Sequence, residues 1–309
     1  TDDSKLSASF LYEYTLLGGP TTNRNLGYPD TTEIIQDEFN TNDNPLFGTL
    51  FRVDYEFPNF SFGKLETGYQ YRFLDHEGDF EYTRRNNNTG IFDPVPEFTS
   101  AIDLKRTLHS SYINLSNKKE KWEYAAGLRL EKMDRELTLQ GADQLTPEVI
   151  PFDYLQLFPS ASVQYSLKNK AKLKAAYSRR VQRTTTFKMN PFREREHSET
   201  LEQGDKNLKP EFVDLFEIGI SKRYKKGNSV YATAYFRNVK NLVNRVNKVF
   251  NDTILDRIYS NVGRGQSLGL ELGAQIKPTE KWSNFIGINI NNLDIDGNFV
   301  YEENGTTIS

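Results

Sequence analysis

Long segments of strict period-two alternation constrain this chain more than any other feature. Phe47, Thr49, Phe51, Val53, Tyr55 and Phe57 share one face of an extended backbone. Gly48, Arg52, Asp54 and Glu56 lie on the other, with Leu50 the exception. Leu65, Thr67, Tyr69, Tyr71 and Phe73 repeat the pattern against Glu66, Gly68, Gln70 and Arg72. Trp122, Tyr124, Ala126, Leu128 and Leu130 oppose Glu123, Gly127, Arg129 and Glu131. Similar runs cover 155–165, 171–180, 268–276 and 282–290. Strands with one apolar and one polar face have this period. The 21 Phe and 17 Tyr agree, because aromatic side chains suit a pleated sheet.

The runs are roughly 10–13 residues long, against a mode of about 5–6 for globular strands and about 9–11 for tilted membrane-spanning ones. Tight connections are predicted at 58–62, 117–121, 166–170, 225–228 and 278–281. Long polar stretches separate them at 17–46, 75–103, 135–153 and 183–211. Short turns at one end and long loops at the other describe an all-β fold, an antiparallel transmembrane β-barrel in the outer membrane. About 11 strands are predicted, the last ending near Asp294, whereas single-chain bacterial barrels have even strand numbers. Residues 1–309 are therefore expected to be one portion of a larger barrel. Phe57, Phe60, Phe62, Trp122, Tyr124, Tyr165, Tyr224 and Trp282 flank the tight turns, where an interfacial aromatic girdle belongs. Phe51, Val53, Tyr69, Leu128, Val163 and Leu270 are expected to face lipid, and Arg72, Arg129, Gln164 and Glu271 the lumen. The stretches 17–46, 75–103 and 183–211 are expected outside the cell. On them Tyr28, Phe39, Tyr82, Phe92, Phe192 and Arg193 are candidates for solute contact, as aromatic or guanidinium groups on loops.

Other classes find little support. A net charge of −3 gives no basic face for nucleic acid. There are no cysteines, hence no disulfide framework. No apolar run approaches the ~20 residues of a spanning helix, and TDDSKLSASF does not read as a leader. His76, His109 and His197 share no metal-ligand spacing, and no phosphate loop or nucleophile motif appears, so no enzyme is expected. Residues 292–303, NLDIDGNFVYEE, fit a calcium-loop pattern with Asn292 in first place. Asn292, Asp294, Asp296 and Glu303 are the candidate Ca2+ ligands of an outer loop, but the alternating NFIGININ before them is wrong for an EF-hand helix.

Four blocks carry a resemblance: YSRRVQR (177–183), MNPF (189–192), GDKNLKPE (204–211) and GRGQSLGLELGAQIKPTEKW (263–282). Together they resemble the C-terminal barrel portion of TonB-dependent receptors, the active transporters of Gram-negative outer membranes. Gly204, Asn207, Leu208, Lys209, Pro210 and Glu211 match that family's block before a strand, while Asp205 and Lys206 depart from its usual Asn-Pro. Thr184 stands where the family often has Pro. The resemblance implies a barrel of about 22 strands with a plugged lumen. It also implies uptake of a scarce large solute, a metal chelate or a glycan, with energy from TonB acting through a plug domain. The remaining alternatives are a passive porin and a soluble all-β binding domain. Read physically, Gly204 permits a positive φ at a bend, and Pro210 sets Lys209 extended at a strand entrance. Lys209 and Glu211 are expected to pair with neighbouring loops or with Arg193-Glu194-Arg195-Glu196.

Overall fold

The structure, a computed structural model, describes residues 4–168, 170–197, 200–251, 254–298, 301–303 and 306–308. Among the described residues eleven long strands carry the fold. They are β1 (Lys5–Gly18), β2 (Ile34–Glu56), β3 (Lys64–Arg85), β4 (Ser100–Lys119), β5 (Trp122–Gly141) and β6 (Glu148–Ser166). Then come β7 (Ala171–Gln182), β8 (Glu211–Arg223), β9 (Ser229–Asn251), β10 (Ile254–Thr279) and β11 (Trp282–Asp296). Each pairs antiparallel with the next, so the sheet is an up-and-down meander. Among the described residues β1 and β11 each pair with a long strand on one side only. Among the described residues no helix is long and apolar enough to cross a membrane.

The five tight connections stand where the sequence places them. Glu120 (φ 52°), Lys170 (φ 66°) and Gly227 (φ 76°) take left-handed conformations there, which close short hairpins. Gly63 (φ 138°) closes the first turn, and a Cβ on it would meet the Ser116 carbonyl oxygen at 2.4 Å. Aromatic side chains collect at this end of the sheet. Phe60 and Phe62 stack with centroids 5.0 Å apart, and Trp122 packs on Tyr165 at 4.6 Å.

Strand length is a correction. Instead of roughly 10–13 residues, β2 and β9 have 23 and β10 has 26. The stretches 17–46, 75–103 and 135–153 are largely strand, with Thr21–Leu26 pairing back onto β2. Away from the membrane band both faces meet polar surroundings. The hydropathy contrast then fades while the backbone ladder continues, so polarity there marks water and not the end of a strand.

The two faces differ as expected. Phe51, Tyr69, Leu128, Val163 and Leu270 are exposed on the apolar face, and Val53 is half-buried. On the polar face, side chains join adjacent strands or reach across one. Tyr112 donates to Asp54 at 2.5 Å, Gln164 to Glu123 at 3.1 Å and Tyr231 to Glu271 at 2.7 Å. Glycines make room for these tyrosines. A Cβ on Gly269 would meet the Tyr235 ring at 2.4 Å, and one on Gly273 the Tyr231 ring at 2.2 Å. Gly269→Ala therefore has to displace the Tyr235 ring, whose hydroxyl donates to Asn289 on β11. The expected loss is about 1–3 kcal/mol of stability, read by urea unfolding of the folded protein in vesicles.

Candidate functional site

At the long-loop end, the segment between β7 and β8 folds against the polar face of the sheet. It holds a helical turn (Thr186–Met189) and two short strands, Glu194–His197 and Thr200–Gln203. The second strand runs parallel to Leu255–Ile258 of β10. Met189 and Leu208 are fully buried against Leu74, Ile102, Leu104, Leu137 and Leu139 of the wall.

Local chemistry explains the fold of GDKNLKPE. Asp205 caps its own turn by accepting from the Asn207 amide at 2.9 Å. Asn261 brackets Lys209, accepting from its amide at 2.8 Å and donating to its carbonyl at 3.1 Å. Pro210 is fully buried immediately before β8, as its missing amide hydrogen requires. One expectation is corrected. Gly204 takes no positive φ. It is required because a Cβ would meet the Lys188 carbonyl oxygen at 2.4 Å, so the backbones could not approach. The Glu211 carboxylate accepts from the Val243 amide at 2.7 Å.

A charged assembly lies on the wall beside this segment. Glu131 of β5 is fully buried. Its carboxylate accepts from Arg183 and Tyr154, and Arg129 lies 3.3 Å from it. Arg129 also stacks over Phe158 at 4.9 Å. Arg135 lies over Phe152 and donates to the Leu208 carbonyl at 2.9 Å, which ties the wall to the inserted segment. Arg106 is opposite Arg135 in the β4–β5 register, with Arg72 and Arg183 among the charges around it. Two guanidinium groups, from Arg129 and Arg183, thus meet one buried carboxylate, and Arg72, Arg106 and Arg135 lie on the same polar face.

The six residues singled out from the sequence do not converge. Tyr28 is 95% exposed, and Phe39 and Phe92 are exposed on strands. Tyr82 is buried, its ring 5.1 Å from that of Phe98. Phe192 packs against the Leu137 and Leu139 cluster. Arg193 is held by Asp256 at 3.2 Å and Glu97 at 3.7 Å. Tyr82 stands on β3, while Phe192 and Arg193 belong to the inserted segment that folds down onto the wall.

The calcium-loop expectation meets a strand. Asn292, Asp294 and Asp296 are alternate residues of β11, opposite Leu268, Gln266 and Arg264. Such side chains follow one another along a strand at about 6–7 Å and do not wrap an ion. The Glu303 side chain lies outside the described residues. Among the described residues no group of three or more His, Cys, Asp or Glu could hold a metal.

A second feature is a cavity of about 190 Å³ lined by Phe80, Tyr82, Phe98, Phe187, Glu194 and Glu202 among others. Glu202 accepts from Arg245 at 2.9 Å, and Glu194 from Asn190 at 2.6 Å. Burial pushes the Glu194 carboxyl up to about 7; the Asn190 hydrogen bond opposes the shift and the Glu202 charge adds to it.

Solved structures share this fold. A copper transporter, OprC, aligns over 93% of this chain and 43% of its own, with TM-score 0.69 at 15% identity. The siderophore receptor PiuA from Acinetobacter baumannii aligns over 100% of this chain and 47% of its own, with TM-score 0.67 at 14% identity. The ferric citrate transporter FecA, unliganded, aligns over 95% and 40%, with TM-score 0.62 at 17% identity. The chain thus spans less than half the length of each. No curated protein matches. The resemblance to the barrels of TonB-dependent receptors, carried by residues 177–290, is borne out by these folds, and the protein is placed in the cell outer membrane. A family model matches residues 1–309 throughout, and the chain belongs to the outer membrane protein beta-barrel family.

Proposed function

We propose that this chain is part of the barrel wall of an outer-membrane receptor that imports a scarce large solute. The observation that carries the reading is the arginine-rich wall. Arg129 and Arg183 at Glu131, with Arg72, Arg106 and Arg135 on the same face, set guanidinium charge along the lumen side, and a low-dielectric wall focuses it. That favours an anionic solute, such as a metal chelate with carboxylate or phenolate groups, over a neutral glycan. Arginine suits carboxylates because its planar fork pairs with them at two points. Energy from TonB, delivered through a plug domain, follows from the resemblance of residues 177–290. Tyr28, Phe39 and Phe92, exposed toward the long-loop end, are the first solute contacts in this reading.

The test uses the protein as its gene encodes it, in cells with and without TonB. Cells should accumulate a radiolabelled ferric chelate of negative charge only when TonB is present. Arg72→Glu reverses charge at an exposed wall position and should reduce that uptake about tenfold or more, given about 1.5–3 kcal/mol for a charged hydrogen bond. Uptake independent of TonB would point instead to a passive porin. Uptake indifferent to the Arg72 charge would remove the wall from the solute path.

A further inference from the structure

The cavity between the β2–β3 hairpin and the inserted segment has the makings of a binding site. Phe80 and Tyr82 come from β3, Phe98 from the turn Pro96–Phe98, and Phe187 from the helical turn. Glu194 and Glu202 come from the two short strands. A water needs only about 10–15 Å³ of such space, so a cavity of about 190 Å³ admits a small organic group.

The lining selects the charge of that group. Aromatic faces carry negative quadrupole density and attract cations within about 6 Å. They repel anions, so an aromatic cage with carboxylates is ill-suited to the anionic solute of the arginine wall. Three carboxylates line the cavity, Glu81, Glu194 and Glu202, and the last two are unequal. Glu202 is matched by Arg245 at 2.9 Å, with the Tyr259 hydroxyl at 3.4 Å. Glu194 accepts from the neutral Asn190 amide and has no cationic partner among the described residues. Nearby cations are engaged: Arg193 with Asp256, and Lys188 over the Tyr259 ring at 5.4 Å. A half-buried carboxylate beside aromatic rings, with no cationic partner among the described residues, suits an added positive charge.

We propose that this cavity binds a small alkylammonium group, with the rings around the cation and Glu194 as its counter-ion. The site is walled by this chain's own residues and does not depend on the uptake reading. The rings favour an alkylated ammonium over a bare metal ion, because methyl groups fill apolar space that a hydrated ion cannot.

Choline, titrated calorimetrically into the detergent-solubilised protein as its gene encodes it, is the probe. Its neutral isostere 3,3-dimethylbutan-1-ol is the control. Choline should bind saturably, one per chain, and the isostere far more weakly. Glu194→Gln should weaken choline about tenfold or more, and Phe187→Ala, at a partly exposed ring, should weaken it as well. Folding of each variant is checked by heat-modifiable migration; if Glu194→Gln fails to fold, Phe187→Ala and the isostere decide. No saturable choline binding, equal affinity for the isostere, or unchanged affinity in every folded variant would overturn the proposal.

Discussion

Replacing Glu131 with Ala is expected to cost about 3–5 kcal/mol of stability, the usual penalty for breaking a buried ion pair from one side. The carboxylate is fully buried and serves Arg183, Tyr154 and Arg129 together. Its removal leaves two guanidinium groups beside Arg106 and Arg135 with no counter-charge, and mutual repulsion adds to the lost hydrogen bonds. The inserted segment should loosen with it, since Arg183 is the first residue past β7. Urea unfolding in lipid vesicles measures the loss. Glu131→Ala combined with Arg183→Met should recover part of it, because the double variant removes one orphaned charge. A loss under about 1 kcal/mol would mean that water screens the cluster.

A charge placed on the apolar face gives the second large effect. Leu128 stands on β5 opposite Ile113 of β4, within an exposed apolar band that includes Leu130, Val163 and Leu270. Leu128→Arg puts a guanidinium into hydrocarbon at a cost of about 2–4 kcal/mol near mid-membrane, falling toward the interfaces. The matching change on the polar face, Gln164→Arg, should cost far less. It adds charge to a lumen that already holds Glu123 and Lys174 next to it. Equal penalties from the two changes would contradict the assignment of faces.

The strands and tight turns were legible because both have local causes. Side-chain period reports the two faces, and left-handed residues at Glu120, Lys170 and Gly227 close the hairpins. Strand ends were not legible, because β2 continues back to Ile34 through residues as polar as a loop. Glu131 was readable as a polar-face residue but not as a buried hub. Its burial depends on Arg183, 52 residues away, arriving with the inserted segment. The same insertion turned Tyr82 and Phe192 from apparent loop contacts into packing. Gly204 shows the limit from another side: the sequence marks a required glycine, but only the neighbouring Lys188 backbone shows that close approach is the reason.

Alternation across the wall in β5 is tested most directly by spin labels at single positions from Tyr124 to Glu131 in the protein reconstituted in bilayers. Labels at Tyr124, Ala126, Leu128 and Leu130 should collide with dissolved oxygen and be shielded from a water-soluble nickel chelate. Those at Ala125, Gly127, Arg129 and Glu131 should show the reverse preference or be shielded from both. A strict period of two between lipid and lumen is the expected result for an outer-membrane barrel wall. Equal access of the nickel chelate to both sets would contradict it.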